Sequence, residues 1–259
     1  MKLSIIVPVF NSADNLFELN RRIYTSIIKM DLKNNFEMIL INDFSEDESW
    51  KIIKKLASEN NYIKGINLKK NFGQHNAIMA GMNYCKGDNI ITLDDDLQHP
   101  PEFISDILKK LNDCEVCYTY YRNRKHIKWK KLVSKINNII SSFLLNKPFK
   151  IYLSSFRGLK KKVVSKIIKY NEANVYLDSL ILNATNNIGM ITVDHYARHK
   201  GTSNYNFKKL LILWSDMVLN FNFYPIRFAS FWGILLKYLV ILFRKKKTYK
   251  QYELSEKTF

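Results

Sequence analysis

The chain has 259 residues, 47% of them hydrophobic and 25% charged, a balance that builds a core for one domain or one and a half and excludes a disordered tail protein. Lysine and arginine number 41 against 23 acidic residues, and the resulting net charge of +18 calls for a polyanionic partner: nucleic acid, an anionic membrane or a phosphorylated substrate. Three cysteines, Cys85, Cys114 and Cys117, are too few and odd in number for a disulfide framework, and with no signal-like opening the chain reads as cytosolic.

Short apolar runs alternate with longer amphipathic stretches, the pattern of strands joined by crossover helices in a mostly parallel, doubly wound α/β sheet. Leu3 to Val9 is a buried-strand run, and a helix is expected from about Asn15; Phe36 to Ile41 is the second strand, ending in Asn42 and Asp43. Ser45 and Glu48 have capping-box spacing, which predicts a helix through about Glu59. Ile63 to Leu68 is a third strand, Asn76 to Tyr84 a helix, and Asn89 to Leu93 a fourth strand that runs into Asp94, Asp95 and Asp96. Pro100 and Pro101 then open a helix to about Leu111, because proline suits a first helical turn. The Cys114-x-x-Cys117 pair has no second pair or suitably spaced histidine to complete a zinc site and is read mainly as a strand edge.

The second half differs in character. Between Arg122 and Lys169 stand 15 lysines or arginines and no acidic residue, a bias that suits an anionic neighbour and that a merely soluble basic face would also produce. Tyr205 to Asn222 reads as an apolar amphipathic helix. Phe228 to Phe243 is a 16-residue apolar run broken by Lys237 and closed by Arg244, Lys245, Lys246 and Lys247. A membrane span wants about 20 apolar residues, so this run is better suited to lying in the lipid interface, with packing on the soluble domain and a short tilted span as alternatives. The division that follows is a catalytic domain over residues 1–204 and an apolar, basic, helical membrane-association region over 205–259.

In an open parallel sheet, ligands bind beyond the carboxyl ends of the strands, where Asp43 and the Asp94 to Asp96 cluster fall. One carboxylate there could cap a helix, but three in a row repel each other unless a cation offsets the charge. In an extended segment residues two apart share a side, so Asp94 and Asp96 are expected to face together while Asp95 points elsewhere. Magnesium and manganese are typically held by one or two carboxylates plus substrate phosphates, which makes those two ions the candidates. The phosphate-binding loop of nucleotide hydrolases, the dinucleotide fingerprint, G-x-S-x-G and H-E-x-x-H are all missing, and His195 and His199, four apart, are read as a polar face rather than a second metal site.

Several ordered motifs carry a resemblance. Ser4-Ile-Ile-Val-Pro-Val-Phe-Asn11, Ile41-Asn-Asp-Phe-Ser-Glu-Asp47, Asn71-Phe-Gly-Gln74 with Ala80-Gly81, and Leu93-Asp-Asp-Asp-Leu-Gln-His-Pro-Pro-Glu102 resemble the inverting family 2 glycosyltransferases of GT-A fold. The likeness is greatest to their polyprenyl-phosphate, dolichol-phosphate mannose synthase-like branch. It continues through Ser154-Ser-Phe-Arg157, Tyr176-Leu-Asp178 and Arg198-His-Lys-Gly-Thr-Ser-Asn-Tyr205. The resemblance implies that Pro8 and Phe10 line the base pocket and that Asp43 hydrogen-bonds the nucleobase, with Asp95 also on the nucleotide-sugar side. The cation would sit on Asp94 and Asp96 with Gln98 close by, and Arg157 would meet the acceptor phosphate. Arg198, Lys200, Ser203 and Tyr205 would close over the diphosphate. Ser12 stands where the family often has Glu, with uracil the default base; Asn204 replaces a frequent Lys, and Ser155 a position that is Asp in some relatives.

These readings lead to a metal-dependent transferase moving a sugar from a nucleotide-diphosphate donor, UDP first, to a polyprenyl phosphate at the cytoplasmic membrane face, peripheral or monotopic. An anionic membrane surface is then a partner, nucleic acid is not, and a homo-oligomer is compatible. A lipid phosphate is already anionic and needs no general base, whereas an alcohol acceptor would need one such as Asp178. The competing readings are a transferase that extends a saccharide on a hydroxyl, a basic non-catalytic or nucleic-acid-binding protein, and a catalytically dead scaffold.

Overall fold

The computed structural model describes residues 2–121, 151–173, 175–193 and 250–259. Chain order runs β1 (Leu3–Val9), α1 (Ala13–Lys29), β2 (Phe36–Asn42), α2 (Ser49–Glu59), β3 (Ile63–Leu68), α3 (Gln74–Tyr84) and β4 (Asn89–Thr92). A 3₁₀ turn (Pro101–Phe103) leads into α4 (Ile104–Lys110), followed by β5 (Val116–Tyr121), β6 (Arg157–Lys160), α5 (Lys161–Ile167), α6 (Leu177–Ala184), β7 (Ile188–Val193) and β8 (Leu254–Lys257).

All eight strands form one sheet in the order β7-β5-β6-β4-β1-β2-β3-β8. The pairs β1–β2, β1–β4, β2–β3 and β5–β7 are parallel; β4–β6, β5–β6 and β3–β8 are antiparallel. Every residue of β1 and β2 is buried, as expected of near-continuous apolar strands covered on both faces, and the polar exceptions are Ser4, Glu37 and Asn42. The two-residue side-chain period divides them between two cores. Leu3, Ile5, Val7 and Val9 pack with α1, α2 and α4, while Ile6, Ile39 and Ile41 pack with α3, α5 and α6. Gly81 lets α3 sit close on the sheet, since a Cβ there would stand 2.7 Å from Ile6 Cγ2 and 2.8 Å from Ile41 Cδ1. The α/β architecture with a mostly parallel sheet between helix layers is therefore the one the sequence predicts.

Local expectations needed three corrections. The Ser45–Glu48 capping box does not form: α2 starts at Ser49, Ser45 Oγ accepts from the Asn11 N–H at 3.0 Å, and the Ser49 N–H donates to Asp47 Oδ1 at 3.0 Å. Cross-links to the neighbouring loop compete with the local cap and win. The prolines open a 3₁₀ turn, and the α-helix begins only at Ile104. The helical reading of residues 205–259 does not extend to their end, because Leu254–Lys257 is an antiparallel edge strand on β3. Trp50 Nε1 donates to Glu256 Oε2 at 2.8 Å and the Gly65 N–H to Thr258 Oγ1 at 2.8 Å, fastening this strand. The two predicted apolar helices, at 205–222 and 228–243, lie outside the described residues. No helix among the described residues is long and apolar enough to cross a membrane.

Cys114 and Cys117 are buried free thiols at the start of β5. Burial raises both, Cys117 to about 12, so neither is a thiolate poised for metal or redox chemistry.

Candidate active site

Parallel register brings the carboxyl ends of β1, β2 and β4 to one edge: Val9 pairs with Asn42 and Ile6 with Thr92. The Leu93 N–H still bonds to the Ile6 carbonyl at 3.3 Å, and the chain then turns away through Asp94, Asp95 and Asp96. Leu97 has φ 61°, as do turn residues rather than strand residues.

The three carboxylates go to different partners. Asp94 Oδ1 accepts from Gln74 Nε2 at 2.6 Å, and its Oδ2 from Ser155 Oγ at 2.7 Å. The Asp94 N–H donates to His99 Nδ1 at 3.0 Å, and His99 Nε2 lies 3.7 Å from Asp94 Oδ2. The His99 ring stacks on Phe156 at 5.4 Å. Asp95 turns the other way, accepting the Phe10 N–H at 3.0 Å and a bond from the Ser12 hydroxyl. Burial, with Asp94 and Asp96 adding like charge, pushes its carboxyl up to about 7 against those two bonds. Asp96 Oδ1 accepts the Gln98 N–H at 3.1 Å. Asp95 thus diverges from Asp94, as expected, but a turn rather than strand alternation separates them.

Asp43 has a structural task. It is 3% exposed, and its two oxygens accept the N–H groups of Phe72 and Gly73 at 2.7 and 2.8 Å. Burial raises its pKa and these two bonds oppose the rise. Gly73, at φ 86°, turns the chain into α3 and so presents Gln74 to Asp94. Pro8 lies within β1 and Phe10 just beyond it, its ring 43% exposed at the rim.

Behind Asp94 lies a buried polar cluster. Register pairs Thr92 of β4 with Arg157 of β6, which in turn pairs with Tyr118 of β5. Arg157 is 1% exposed; its Nη1 forms an ion pair with Asp178 Oδ1 at the start of α6, and its Nε donates to Thr92 Oγ1 at 3.3 Å. Tyr118 donates its hydroxyl to Asp178 at 2.8 Å. Burial and Asp178 raise the Tyr118 phenol well above its usual range; Asp178 keeps the Arg157 guanidinium charged despite burial. Thr92 Oγ1 donates to the Ser155 carbonyl at 2.6 Å, so the cluster steadies the residue that holds Asp94. His75 lies in the same neighbourhood and accepts the Leu177 N–H at 3.4 Å; burial lowers its pKa and favours the neutral ring.

Sequence reasoning singled out Asp43, Asp94, Asp95, Asp96, Gln98 and Arg157, all of which the structure gathers around this edge. Arg198, Lys200, Ser203 and Tyr205 lie outside the described residues. It did not single out Gln74, His75, Thr92, His99 or Tyr118 by role; Gln74 and His99 stand within the quoted motifs, Thr92 and Tyr118 come together only through strand register, and His75 enters from α3. Ser155 was noted as a departure rather than as a partner of Asp94.

Among the described residues no group of three or more His, Cys, Asp or Glu side chains is arranged to hold a metal. The donor set nevertheless fits a hard divalent cation: carboxylate oxygens of Asp94 and Asp96 on one short turn, with like charges around Asp95 that a cation would offset. A site of two carboxylates leaves ligand positions for diphosphate oxygens.

A parallel sheet with an acidic turn at its carboxyl edge is the frame of the GT-A glycosyltransferases, and solved structures agree. The chain overlays the glucosyl-3-phosphoglycerate synthase of Mycobacterium tuberculosis, in complex with Mn²⁺, UDP-glucose and phosphoglyceric acid, with TM-score 0.58 and 15% identity, covering 84% of this chain and 77% of that one. It overlays S. aureus TarS 1-349 in complex with UDP-GlcNAc with TM-score 0.55 and 20% identity, covering 86% and 68%. The chain belongs to the glycosyl transferase family 2, whose family model matches residues 4–168, and it is a glycosyltransferase. It is 32% identical over 244 residues to the undecaprenyl-phosphate 4-deoxy-4-formamido-L-arabinose transferase of Klebsiella pneumoniae (strain 342), covering 93% of this chain and 74% of that protein. The enzyme of the same name from Salmonella choleraesuis is 33% identical over 237 residues, covering 91% and 72%.

Proposed function

We propose that this enzyme transfers a sugar from a nucleotide-diphosphate donor, UDP-linked first, to a polyprenyl phosphate. The observation that carries this reading is the divided acidic turn. Asp95 is bound to the Phe10 loop on the nucleotide side, while Asp94 is held by Gln74 and Ser155 on the opposite side. Asp94 and Asp96, with Gln98 beside them, would hold Mg²⁺ or Mn²⁺, which when bound would supply positive charge to offset that of the departing diphosphate. Phe10 and Pro8 line the base side, Asp43 fixes the 72–73 turn beside it, and Asp94 keeps its orientation through three hydrogen bonds. The acceptor phosphate oxygen attacks the anomeric carbon, the bond from that carbon to the diphosphate oxygen breaks with inversion, and the electron pair leaves on the nucleotide diphosphate. Stabilising that departing charge more in the transition state than in the ground state is the source of rate.

The acceptor rests on the undecaprenyl-phosphate transferases that the chain resembles over nine-tenths of its length. A local observation favours a phosphate over a hydroxyl acceptor. Asp178, the carboxylate considered as a base for a hydroxyl, is buried and engaged by Arg157 and Tyr118, while a lipid phosphate needs no base. Arg157, itself buried and paired with Asp178, acts on the acceptor side through Thr92 and Ser155 rather than as an exposed ligand of the phosphate. A polyprenyl acceptor and the lysine-rich composition support the reading of a peripheral or monotopic enzyme at the cytoplasmic face of the membrane.

The test is a panel of UDP-, GDP- and dTDP-sugars with undecaprenyl phosphate or free saccharides as acceptors, each with Mn²⁺ and with EDTA. Metal-dependent product on the lipid phosphate is expected. Transfer to free saccharides and never to the lipid phosphate would overturn the acceptor assignment, and full activity in EDTA the metal assignment.

A further inference from the structure

Phe44 breaks two local rules at once. It follows Asp43 at the carboxyl end of β2 with φ 61°, a backbone region that bulky L-residues rarely adopt and that glycine occupies freely. Its ring is also 51% exposed, so packing does not repay the backbone conformation. The surrounding loop fixes that conformation from both sides. The Asp43 N–H donates to the Val9 carbonyl at 2.9 Å, the Asn11 N–H to Ser45 Oγ at 3.0 Å, and the Glu46 N–H to Asn11 Oδ1 at 2.8 Å. Asn11 is itself left-handed, at φ 51°.

These bonds join the β1–α1 loop to the β2–α2 loop one residue away from Phe10 on one strand end and one residue away from Phe44 on the other. Two half-exposed aromatic residues therefore stand on the two joined loops, Phe44 directly after Asp43 in the chain and Phe10 with its N–H bonded to Asp95. Residues held in sparsely populated conformations by their surroundings concentrate where a ligand binds. An aromatic face at such a rim suits a flat heterocycle, and every nucleobase offers one.

We propose that Phe44 is a second aromatic contact for the nucleobase of the donor, complementing Phe10, and that its left-handed backbone is retained for that contact. This rests on the nucleotide-donor reading above. The position then opposes stability to binding, and a substitution to glycine should move the two in opposite directions.

The experiment measures calorimetric binding of UDP, uridine and pyrophosphate, each with Mn²⁺, together with the melting temperature of the ligand-free protein. Wild type is compared with Phe44→Gly, Phe44→Leu and Phe44→Tyr. Phe44→Gly is expected to melt about 2–4 °C higher and to bind UDP and uridine roughly tenfold more weakly, as expected for loss of a stacking contact. Its pyrophosphate affinity should not change. Phe44→Leu, which keeps the bulk and the strained backbone, should lose the same base affinity without the gain in melting temperature. Phe44→Tyr should bind as wild type does.

Equal UDP binding by wild type, Phe44→Gly and Phe44→Leu would overturn the proposal while leaving the donor reading intact. A parallel loss of pyrophosphate affinity would also overturn it, since the residue would then be shaping the loop. Unchanged nucleotide binding with weaker association to phosphatidylglycerol vesicles would overturn it in favour of a lipid contact. Should wild type bind no nucleoside diphosphate, GDP, dTDP and CDP included, the donor reading itself fails and this proposal with it.

Discussion

The two ends of the sheet solve opposite problems with similar residues. At the amino end, Glu37 lies buried, accepting from Ser4 Oγ and the Lys86 N–H at 2.6 Å each and from Lys64 Nζ at 2.6 Å. Ser4 Oγ in turn accepts the Gly87 N–H at 2.8 Å. Burial would raise the Glu37 carboxyl, but Lys64, Ser4 and the Lys86 N–H together hold it below its usual value. At the carboxyl end three carboxylates crowd one turn, Asp95 is pushed up to about 7, and Asn11, Phe44 and Leu97 all have positive φ. The lesson is that a charge matched by fixed partners serves folding, whereas charges left crowded and backbone left strained serve a ligand that arrives later.

The largest effect that would break this comparison is at Asp96. Asp96→Asn should lower kcat/KM by about a thousandfold, roughly 4 kcal/mol of transition-state stabilisation, with the melting temperature unchanged. A loss of fold alongside activity, seen by circular dichroism, would place Asp96 with the structural charges instead. Glu37→Ala is the mirror experiment. It should cost about 3 kcal/mol of stability, because it leaves Lys64 and two hydrogen-bond donors without their acceptor, while turnover per folded molecule holds. Urea unfolding and steady-state rates on the same preparation measure both.

The amino-end cluster also has a pH signature. A folded carboxyl held below its unfolded value stabilises the protein fully above the unfolded value and progressively loses that contribution as pH falls through the folded one. Stability should therefore decline below about pH 4.5, the usual glutamate value, and the decline should be shallower in Glu37→Ala. A smaller effect is expected where the ends of β2 and α3 meet. Gly73→Ala, at φ 86°, should cost about 1–2 kcal/mol and, by shifting Gln74 and the two N–H groups that donate to Asp43, weaken donor binding as well. Isothermal calorimetry with UDP and Mn²⁺ would show the second component.

How much of this was legible in the sequence depended on how far apart the partners lie. β1 and β2 are near-continuous apolar runs and read directly; the acidic turn followed β4 and was placed with it. The capping box at Ser45 failed because Asn11, 34 residues away, takes its hydroxyl. Arg157, Asp178, Tyr118 and Thr92 form one cluster only through the register of β4, β5 and β6, which no linear spacing encodes. Thus Arg157 was read for an acceptor contact while its buried pairing with Asp178 went unseen. β8 was missed for a different reason. Its residues are mostly exposed and polar, so the four-residue strand has no apolar alternation, and its hold on the sheet comes from Trp50, Gly65 and backbone pairing.

That edge strand has a practical consequence. Running antiparallel to β3, β8 carries Phe259 down to Lys64, whose ammonium lies 5.4 Å from the ring, and to Tyr84, 5.7 Å away. Lys2, whose carbonyl accepts the Asn89 N–H at 3.1 Å, is at the same end. A biosensor surface or fluorescent reporter coupled through residue 2 or residue 259 would therefore grip the described sheet at the end away from the acidic turn.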